Sequence, residues 1–411
     1  MGTDGREVNE DATGGPAPTL SVVVPVYAAP QALDRCLSRL AASTLRAEVL
    51  VADDASPTDA CAHVARAHGA RYHRMETNGG PGRARNAGVE RCTTDLVAFV
   101  DADVLVHPDA LERLRDVFVR EPRVVAAFGS YDDEPAAPGV VTEYRNLLHH
   151  YTHQTGAASA STFWAGCGVV RRDVFLAHGG FDPAFRVPSV EDIELGMRLR
   201  ARGLELRLEP RALGTHLKRW TLPEVVRTDV LCRAIPWTRL LIERPGVGAR
   251  DLNLHRRQKA SVALVLLALG TAIVLAPWWP AAIGLFLLAP VGLGLLGAFA
   301  DRLREPVLEL VVVHGALLAW LVLVARHASQ APALAVPLLP LAAVMALNRR
   351  LYAFFFAHRG PGFGLTSVML HQLYYVYSGL AFVYAHARHR VAPVPTGARA
   401  PASRPRADGS A

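Results

Sequence analysis

The chain of 411 residues has only five cysteines (Cys36, Cys61, Cys92, Cys167 and Cys232), and no two of them form a Cys-x-x-Cys pair. That scatter argues against a cysteine-based zinc site and suits a reducing compartment. Positions 1–19 lack an apolar run, so no secretory signal is expected and this polar stretch reads as disordered. No Gly-x-Gly-x-x-Gly follows the first apolar segment, which disfavours a dinucleotide-dependent oxidoreductase. A basic excess on the first part of the chain is also missing. The formal net charge is +7, yet residues 1–250 hold 30 Lys+Arg against 32 Asp+Glu, whereas residues 251–411 hold 14 against 5. A nucleic-acid binder would carry its positive charge as a patch on a folded domain, so no nucleic-acid partner is expected. With 51% hydrophobic residues, disorder of the whole chain is excluded.

From Ala260 to Ala300 there is no Asp, Glu, Lys, Arg or His across 41 residues. About 20 apolar residues span a bilayer core, so this run has the length of two helices. Pro277-Trp278-Trp279-Pro280 would turn them at the headgroups. The candidate spans are 260–279, 281–300, 307–325, 328–348 and 365–385. The fourth holds Pro332, Pro337 and Pro340, and the third holds Glu309 and His314. The positive-inside tendency would set the Arg-rich, disordered tail 387–411 on the same side as the first domain, so an even number of about four helices is expected within 259–386. Between the domains, 222–258 is amphipathic. Its Leu222–Ile242 part mixes Arg227, Arg233 and Arg239 with Trp237 and aliphatic residues, which suits contact with membrane lipids or, equally, a packed domain-closing helix.

The first part alternates strands and helices. Leu20–Val26 and Glu48–Ala52 are short β-branched or apolar runs, Arg71–Met75 is extended, and Leu96–Val100 is another strand. Helical spacing occupies Ala29–Leu40, Thr58–His68 and Arg83–Arg91 between them. This alternation implies an α/β fold with a mostly parallel, Rossmann-like sheet over residues 20–221. Ligands of such sheets bind beyond the carboxyl ends of the strands, where two acidic clusters fall.

Asp101-Ala102-Asp103 ends an apolar strand, so its two carboxylates alternate onto one side. A hard divalent cation, Mg2+ or Mn2+, takes such oxygens, often together with substrate phosphates, though a solvated turn would look the same. Asp53-Asp54 follows an earlier strand and suits a ribose or base; Ser56 before Pro57 reads as the cap of the next helix. Gly79-Gly80-Pro81-Gly82 opens a helix carrying Arg83 and Arg85, a start that would favour phosphate. Gly179-Gly180-Phe181-Asp182 is a turn. Glu191 and Asp192 open a helix, where the dipole favours them or where a general base would face an acceptor. His216 follows a strand, beside Lys218, Arg219 and Trp220, and is either structural or a metal or diphosphate contact.

In order, Val24-Pro25-Val26-Tyr27, Asp53-Asp54-Ala55-Ser56, Gly82-Arg83-Ala84-Arg85-Asn86-Ala87-Gly88, Asp101-Ala102-Asp103, Gly179-Gly180-Phe181-Asp182, Glu191-Asp192 and His216 resemble the motifs of family 2 glycosyltransferases. Trp164-Ala165-Gly166-Cys167-Gly168 is similar, less specifically, to that family's acceptor-side loop. The resemblance covers about residues 20–220 and implies a GT-A fold, a nucleotide-sugar donor and a divalent metal. It implies Pro25, Tyr27 and Asp53 at the base, Asp54 near the nucleotide, and Arg85 near the sugar–phosphate. It places Asp103, with Asp101, at metal and ribose, His216 in the metal shell, and Asp192 as base of an inverting displacement. Processive family members carry Gln-x-x-Arg-Trp; here the spacing reads His216-Leu217-Lys218-Arg219-Trp220, so His replaces Gln while Arg219 and Trp220 remain site candidates.

The expectation is therefore a multi-pass plasma-membrane enzyme with a cytoplasmic catalytic domain, glycosylating a lipid-linked acceptor. A processive polysaccharide synthase and a non-catalytic membrane scaffold are the alternatives. The altered Gln position argues against the first and the intact acidic motifs against the second.

Overall fold

The computed structural model describes residues 17–243, 256–275 and 335–391. Its centre is the strand β1 (Leu20–Val26), every residue of which is buried. Val22, Val24 and Val26 face one side and Val23 the other, as the two-residue period of a strand requires. Around it run α1 (Pro30–Ala41), β2 (Glu48–Asp53), α2 (Ala60–Ala67), β3 (Arg71–Arg74), α3 (Pro81–Glu90) and β4 (Leu96–Val100). Next come β5 (Val104–Val106), α4 (Ala110–Arg120), β6 (Val124–Tyr131), α5 (Val140–Gln154), β7 (Ser159–Ala160) and β8 (Cys167–Arg171). The domain closes with α6 (Arg172–Ala177), α7 (Glu191–Ala201) and β9 (Glu205–His216).

These nine strands form one sheet in the order β3-β2-β1-β4-β8-β6-β9-β5, with β7 added beside β9. The β3-β2-β1-β4 half is parallel, as the sequence pattern implies. The other half is not. β8 inserts antiparallel between β4 and β6, and β9 runs antiparallel to β5 and β7 while parallel to β6. The expected mostly parallel sheet is thus corrected to a mixed one. β8 enters the sheet from a loop rather than through a crossover helix, and periodicity within a strand says nothing about its direction.

Two hydrophobic layers cover the sheet. One packs Leu33, Leu37 and Leu40 of α1 and Leu111, Leu114 and Phe118 of α4 under β1 and β4. The other stacks Phe99, Phe163, Phe175 and Phe181, with neighbouring ring centroids 5.2–6.3 Å apart. Gly88 permits α3 to lie on β1, since a Cβ there would come within 2.5 Å of Val23.

Beyond β9, α8 (Leu222–Arg227) begins with a capping box between Thr221 and Glu224. A π-helical segment, Thr228–Ala234, then leads into α9 (Ile235–Glu243). This stretch is packed: Leu222 and Val225 join Val141, Tyr144 and Leu147 of α5 in a third core. The same core takes Leu351, Phe355, Phe363 and Leu370 from α12 (Arg349–Val391), a helical run broken at Gly360 (φ 82°) before Pro361. α10 (Arg256–Leu275) and α11 (Ala335–Leu347) meet α12 through Val265, Val344 and Tyr375.

Among the described residues, α10 is the one helix long and apolar enough to cross a membrane, by length and composition. The candidate spans 281–300 and 307–325 lie outside the described residues, as do parts of 260–279 and 328–348. The described part of 328–348 is a helix of 13 residues. The 365–385 stretch continues a segment whose Phe363 and Leu370 are spent on the catalytic domain. A four-helix transmembrane domain is therefore not what the described residues show. The stretch 387–391, expected to be disordered, is the last turn of α12.

Candidate active site

The parallel register aligns the strand ends that matter. Val26 pairs with Asp53, and β1 pairs with β4, so the loops after β1, β2 and β4 emerge side by side. Antiparallel pairing supplies the rest. Val100 lies opposite Cys167, which brings the Trp164–Gly166 loop against Asp101, whose N–H donates to the Gly166 carbonyl at 3.2 Å. Val104 lies opposite His216, and this places Asp103 beside that imidazole at 3.5 Å.

Of the residues singled out from the sequence, Pro25, Tyr27, Asp54, Arg85, Asp101, Asp103, Glu191, Asp192, His216 and Trp220 line one cavity of about 740 Å3. That volume is in the range of small-ligand sites. Asp53 and Arg219 are not among its lining residues. Asp53 is fully buried: its carboxylate accepts the Ser56 N–H at 2.7 Å and the Tyr72 hydroxyl at 2.7 Å. Ser56 does not cap α2; its hydroxyl accepts the Ala28 N–H at 2.8 Å, and the helix starts later, after Asp59. These bonds tie the loops after β1 and β2 together. Ala28 (φ 50°) and Ala55 (φ 62°) are held there in the left-handed region, a strain typical of functional edges.

The glycine-rich loop before α3 is not open to phosphate as the sequence suggests. Asp54 already occupies it, accepting the Gly79 and Gly80 N–H groups at 2.8 Å each. A buried carboxylate needs such donors, and a helix start supplies them. Arg85 likewise points inward. It is 4% exposed and bridges two carboxylates, Asp101 at 2.6 Å and Glu191 at 3.2 Å. Burial, against the pull of Arg85, raises the Asp101 carboxyl above its ordinary value. Burial acts on Asp103 too, but the His216 hydrogen bond and the His216 and Lys218 charges outweigh it and lower that carboxyl.

Asp192 sits across the cavity at the first turn of α7. It accepts the Ala165 N–H at 3.1 Å. Burial, reinforced by the neighbouring Glu191 charge, pushes its pKa up to about 7. A carboxyl tuned to that value is partly ionised near neutrality, and its ionised form is still basic, the property of a general base.

A divalent cation at this site fits the donor set in part. Asp103 and His216 offer an oxygen and a nitrogen toward the cavity, while Asp101 is engaged by Arg85. Among the described residues no group of three or more His, Cys, Asp or Glu forms a complete protein shell. A two-donor set suits an ion that completes its shell with substrate oxygens.

Several lining residues escaped the sequence reading. Arg145, His149 and His153 present one face of α5 to the cavity, and Tyr131 stacks on His216 with centroids 4.5 Å apart. The i, i+4, i+8 spacing of Arg145, His149 and His153, opposite Val141, Tyr144 and Leu147, was the available signal. Trp164 packs against Tyr131 and His149 at 4.7 and 4.9 Å. Burial first, then the His153 and Arg145 charges, hold the His149 imidazole well below its ordinary pKa, hence neutral. Lys218 lies over the Trp220 ring at 3.7 Å.

With this geometry in place, comparison with known proteins is informative. Residues 21–179 match the family model for glycosyl transferase family 2. The mixed α/β sheet is consistent with the GT-A fold of such domains. The chain is similar to a pre-mycofactocin glycosyltransferase of Mycobacterium tuberculosis, 34% identical over 145 residues, covering 33% of this chain and 30% of the relative. It is also similar to an amylovoran biosynthesis glycosyltransferase of Erwinia amylovora, 25% identical, covering 44% and 70% respectively. A validoxylamine A glucosyltransferase of Streptomyces hygroscopicus is 27% identical, covering 48% and 55%. The chain spans about a third of the length of the first relatives it matches. Among solved structures, a mannosyltransferase from Pyrobaculum calidifontis in complex with GDP-Man and Mn2+ matches at 15% identity and TM-score 0.41, over 91% of this chain and 87% of that one.

Proposed function

We propose that this chain is a metal-assisted inverting glycosyltransferase that moves a sugar from a nucleotide-sugar donor to an acceptor at a membrane surface. The observation that carries the reading is the placement of Asp103 and His216 on one wall of a single cavity and Asp192, with its raised pKa, on another. The match of residues 21–179 to family 2 supports it.

In this reading the half-exposed Tyr27 and Pro25 receive the nucleobase at the β1 edge. Asp54 acts indirectly, by fixing the loop before α3, and Asp53 by fixing the loop after β2. Asp103 and His216 would hold a divalent cation, Mg2+ or Mn2+, which when bound would supply charge stabilisation for a departing diphosphate. Asp192 takes the proton from the acceptor hydroxyl as its oxygen bonds to the anomeric carbon. The bond from that carbon to the diphosphate breaks on the opposite face, giving inversion. Arg85 keeps Asp101 and Glu191 in place on either side. Trp164, Trp220 and the α5 histidines form the wall that excludes water around the acceptor.

Membrane attachment rests on α10, whose mean hydropathy reaches 1.9 and whose Leu267, Ile273 and Val274 are exposed. At the far end of α12, Leu380, Phe382, Val383 and Tyr384 are exposed too, followed by Arg388 and Arg390. Such an apolar-then-basic sequence suits the cytoplasmic face of a plasma membrane and a lipid-linked acceptor. The test is a panel of nucleotide sugars with purified protein and Mn2+, reading hydrolysis of the donor. Turnover of one donor above the rest supports the reading, and failure to bind or hydrolyse any of them removes it.

A further inference from the structure

The cavity does not end at Asp192. It continues to the π-helical segment and α9, and there its electrostatic character reverses. At the strand tips and the start of α7 the cavity presents four carboxylates, Asp101, Asp103, Glu191 and Asp192, of which Arg85 holds Asp101 and Glu191. At the other end two guanidiniums share one carboxylate. Asp229 of the π-helical segment is 3% exposed and meets Arg145 of α5 at 2.7 and 3.0 Å and Arg233 at 3.1 Å. The Tyr377 hydroxyl of α12 donates to the same carboxylate at 2.7 Å. Both arginines line the cavity.

Asp229 thereby neutralises one of two cations, and a net positive charge faces the cavity through Arg233, whose side chain is 40% exposed. A guanidinium that shares its carboxylate with a second one keeps N–H donors for an anion that enters the cavity. A second observation points the same way. Trp237 also lines this end, and its indole Nε1 is buried without a hydrogen-bond partner. Buried indole N–H groups normally find an acceptor, so this one is supplied by a ligand or left unsatisfied. A π-helical turn, itself common at functional sites, carries Asp229 and Arg233 on successive turns. Finally, the Ser189 hydroxyl donates to the Cys232 carbonyl at 2.7 Å, fastening this segment three residues from Asp192.

We propose that Arg145, Arg233 and Trp237 form a binding site for a phosphate group carried by the acceptor, with Asp229 and Tyr377 orienting the two arginines. The proposal rests on the transferase reading for calling the ligand an acceptor. Guanidinium forks and an indole N–H match phosphate oxygens, and a single net charge suits a phosphate monoester or diester. The group arrives on a lipid or on a soluble molecule; the site recognises what they share.

The experiment uses the full chain in detergent, titrated with decyl phosphate, glycerol 3-phosphate and, as an uncharged control, decyl maltoside. UDP and GDP with Mn2+ are titrated separately. Decyl phosphate is expected to bind and decyl maltoside not. Arg233→Gln should weaken decyl phosphate binding by about tenfold or more, and Trp237→Phe by about threefold, the scale of a lost charged or neutral hydrogen bond. Arg233→Lys should recover part of the loss. These variants leave the Arg145–Asp229 pair intact, and unchanged thermal unfolding confirms the fold. A preference for decyl phosphate over glycerol 3-phosphate assigns the phosphate to a lipid, and equal binding assigns it to a soluble acceptor. Equal decyl phosphate affinity in wild type, Arg233→Gln and Trp237→Phe overturns the site. Absent nucleotide binding with intact phosphate binding would instead count against the transferase reading alone.

Discussion

Arg85 on α3 and Glu191 on α7 meet at 3.2 Å although 106 residues separate them in the chain. The same guanidinium holds Asp101 at 2.6 Å, so a single buried cation joins the tip of β4 to the start of the helix carrying Asp192. Removing it leaves two carboxylates in a buried place without a counter-charge. Arg85→Met should therefore destabilise the fold by about 3–5 kcal/mol, as for other broken buried pairs. Urea unfolding of the purified chain measures it. Arg85→Lys keeps the charge but loses the fork, and an intermediate loss is expected.

The raised pKa of Asp192 gives a signed prediction about pH. As base it must be ionised, so transfer should rise through an acid limb near pH 7. Glu191→Gln removes the charge that reinforces burial, and the limb should move to lower pH. Asp192→Asn should cost about 10²–10⁴-fold in turnover without moving nucleotide affinity. Stability runs opposite to activity. The folded protein holds the Asp192 proton more tightly than the unfolded chain, so this group's contribution is full below about pH 4, the unfolded value, and fades as pH rises through 7. At pH 8, Asp192→Asn should accordingly unfold at higher temperature than wild type. A pH–rate profile with no limb between 6 and 8 would remove Asp192 as the base.

That two acidic clusters follow strands was legible, because a strand that alternates and then stops fixes where the chain leaves the sheet. Where those carboxylates point was not, since Asp53 turns inward and Asp101 and Asp103 go to Arg85 and His216. The helix openings at Pro81 and Glu191 were legible for similar local reasons. What the chain hides is who meets whom. Nothing near Asp54 indicates that it fills the glycine loop 25 residues on, nor does anything near Arg85 reveal Glu191. The antiparallel entry of β8 is equally silent, yet it sets Trp164 and Ala165 against Asp101 and Asp192. Composition alone does not say where the apolar C-terminal stretches go. Composition measures how badly a helix wants to leave water, not whether lipid or protein receives it, and α12 gives part of its apolar face to α5 and α8.

The proposed metal assistance is tested by chelation. Chelation with EDTA should abolish transfer, and Mn2+ or Mg2+ should restore it. Asp103→Ala should remove turnover at all metal concentrations tested, with the chain still folded by thermal unfolding, because the Asp103 side chain is 39% exposed. His216→Gln keeps a polar ligand of similar reach and should raise the Mn2+ concentration needed for half-maximal rate. Full activity of Asp103→Ala would withdraw the metal assignment.

Docking of α12 against the catalytic domain is testable through Phe355, which is fully buried between Tyr144 of α5 and Phe363. Phe355→Ala opens a large cavity at that junction, with an expected cost of about 3–5 kcal/mol. The loss should be local, because the strands of the sheet are covered by different cores. Hydrogen exchange should quicken in α12 and α8 while β1, β2 and β4 stay protected. Arg359, which reaches Glu143 at 3.1 Å and the Asp133 carbonyl at 2.8 Å beside the Gly360 break, is the polar counterpart of the same dock. Arg359→Ala should quicken exchange there more mildly, by about 1 kcal/mol or less. Since Trp220 and Leu222 share this core with Phe355, undocking also frees the wall of the cavity, so acceptor affinity should fall before nucleotide affinity does. Uniform loss of protection over the whole sheet would instead mean that α12 and the catalytic domain unfold as one unit.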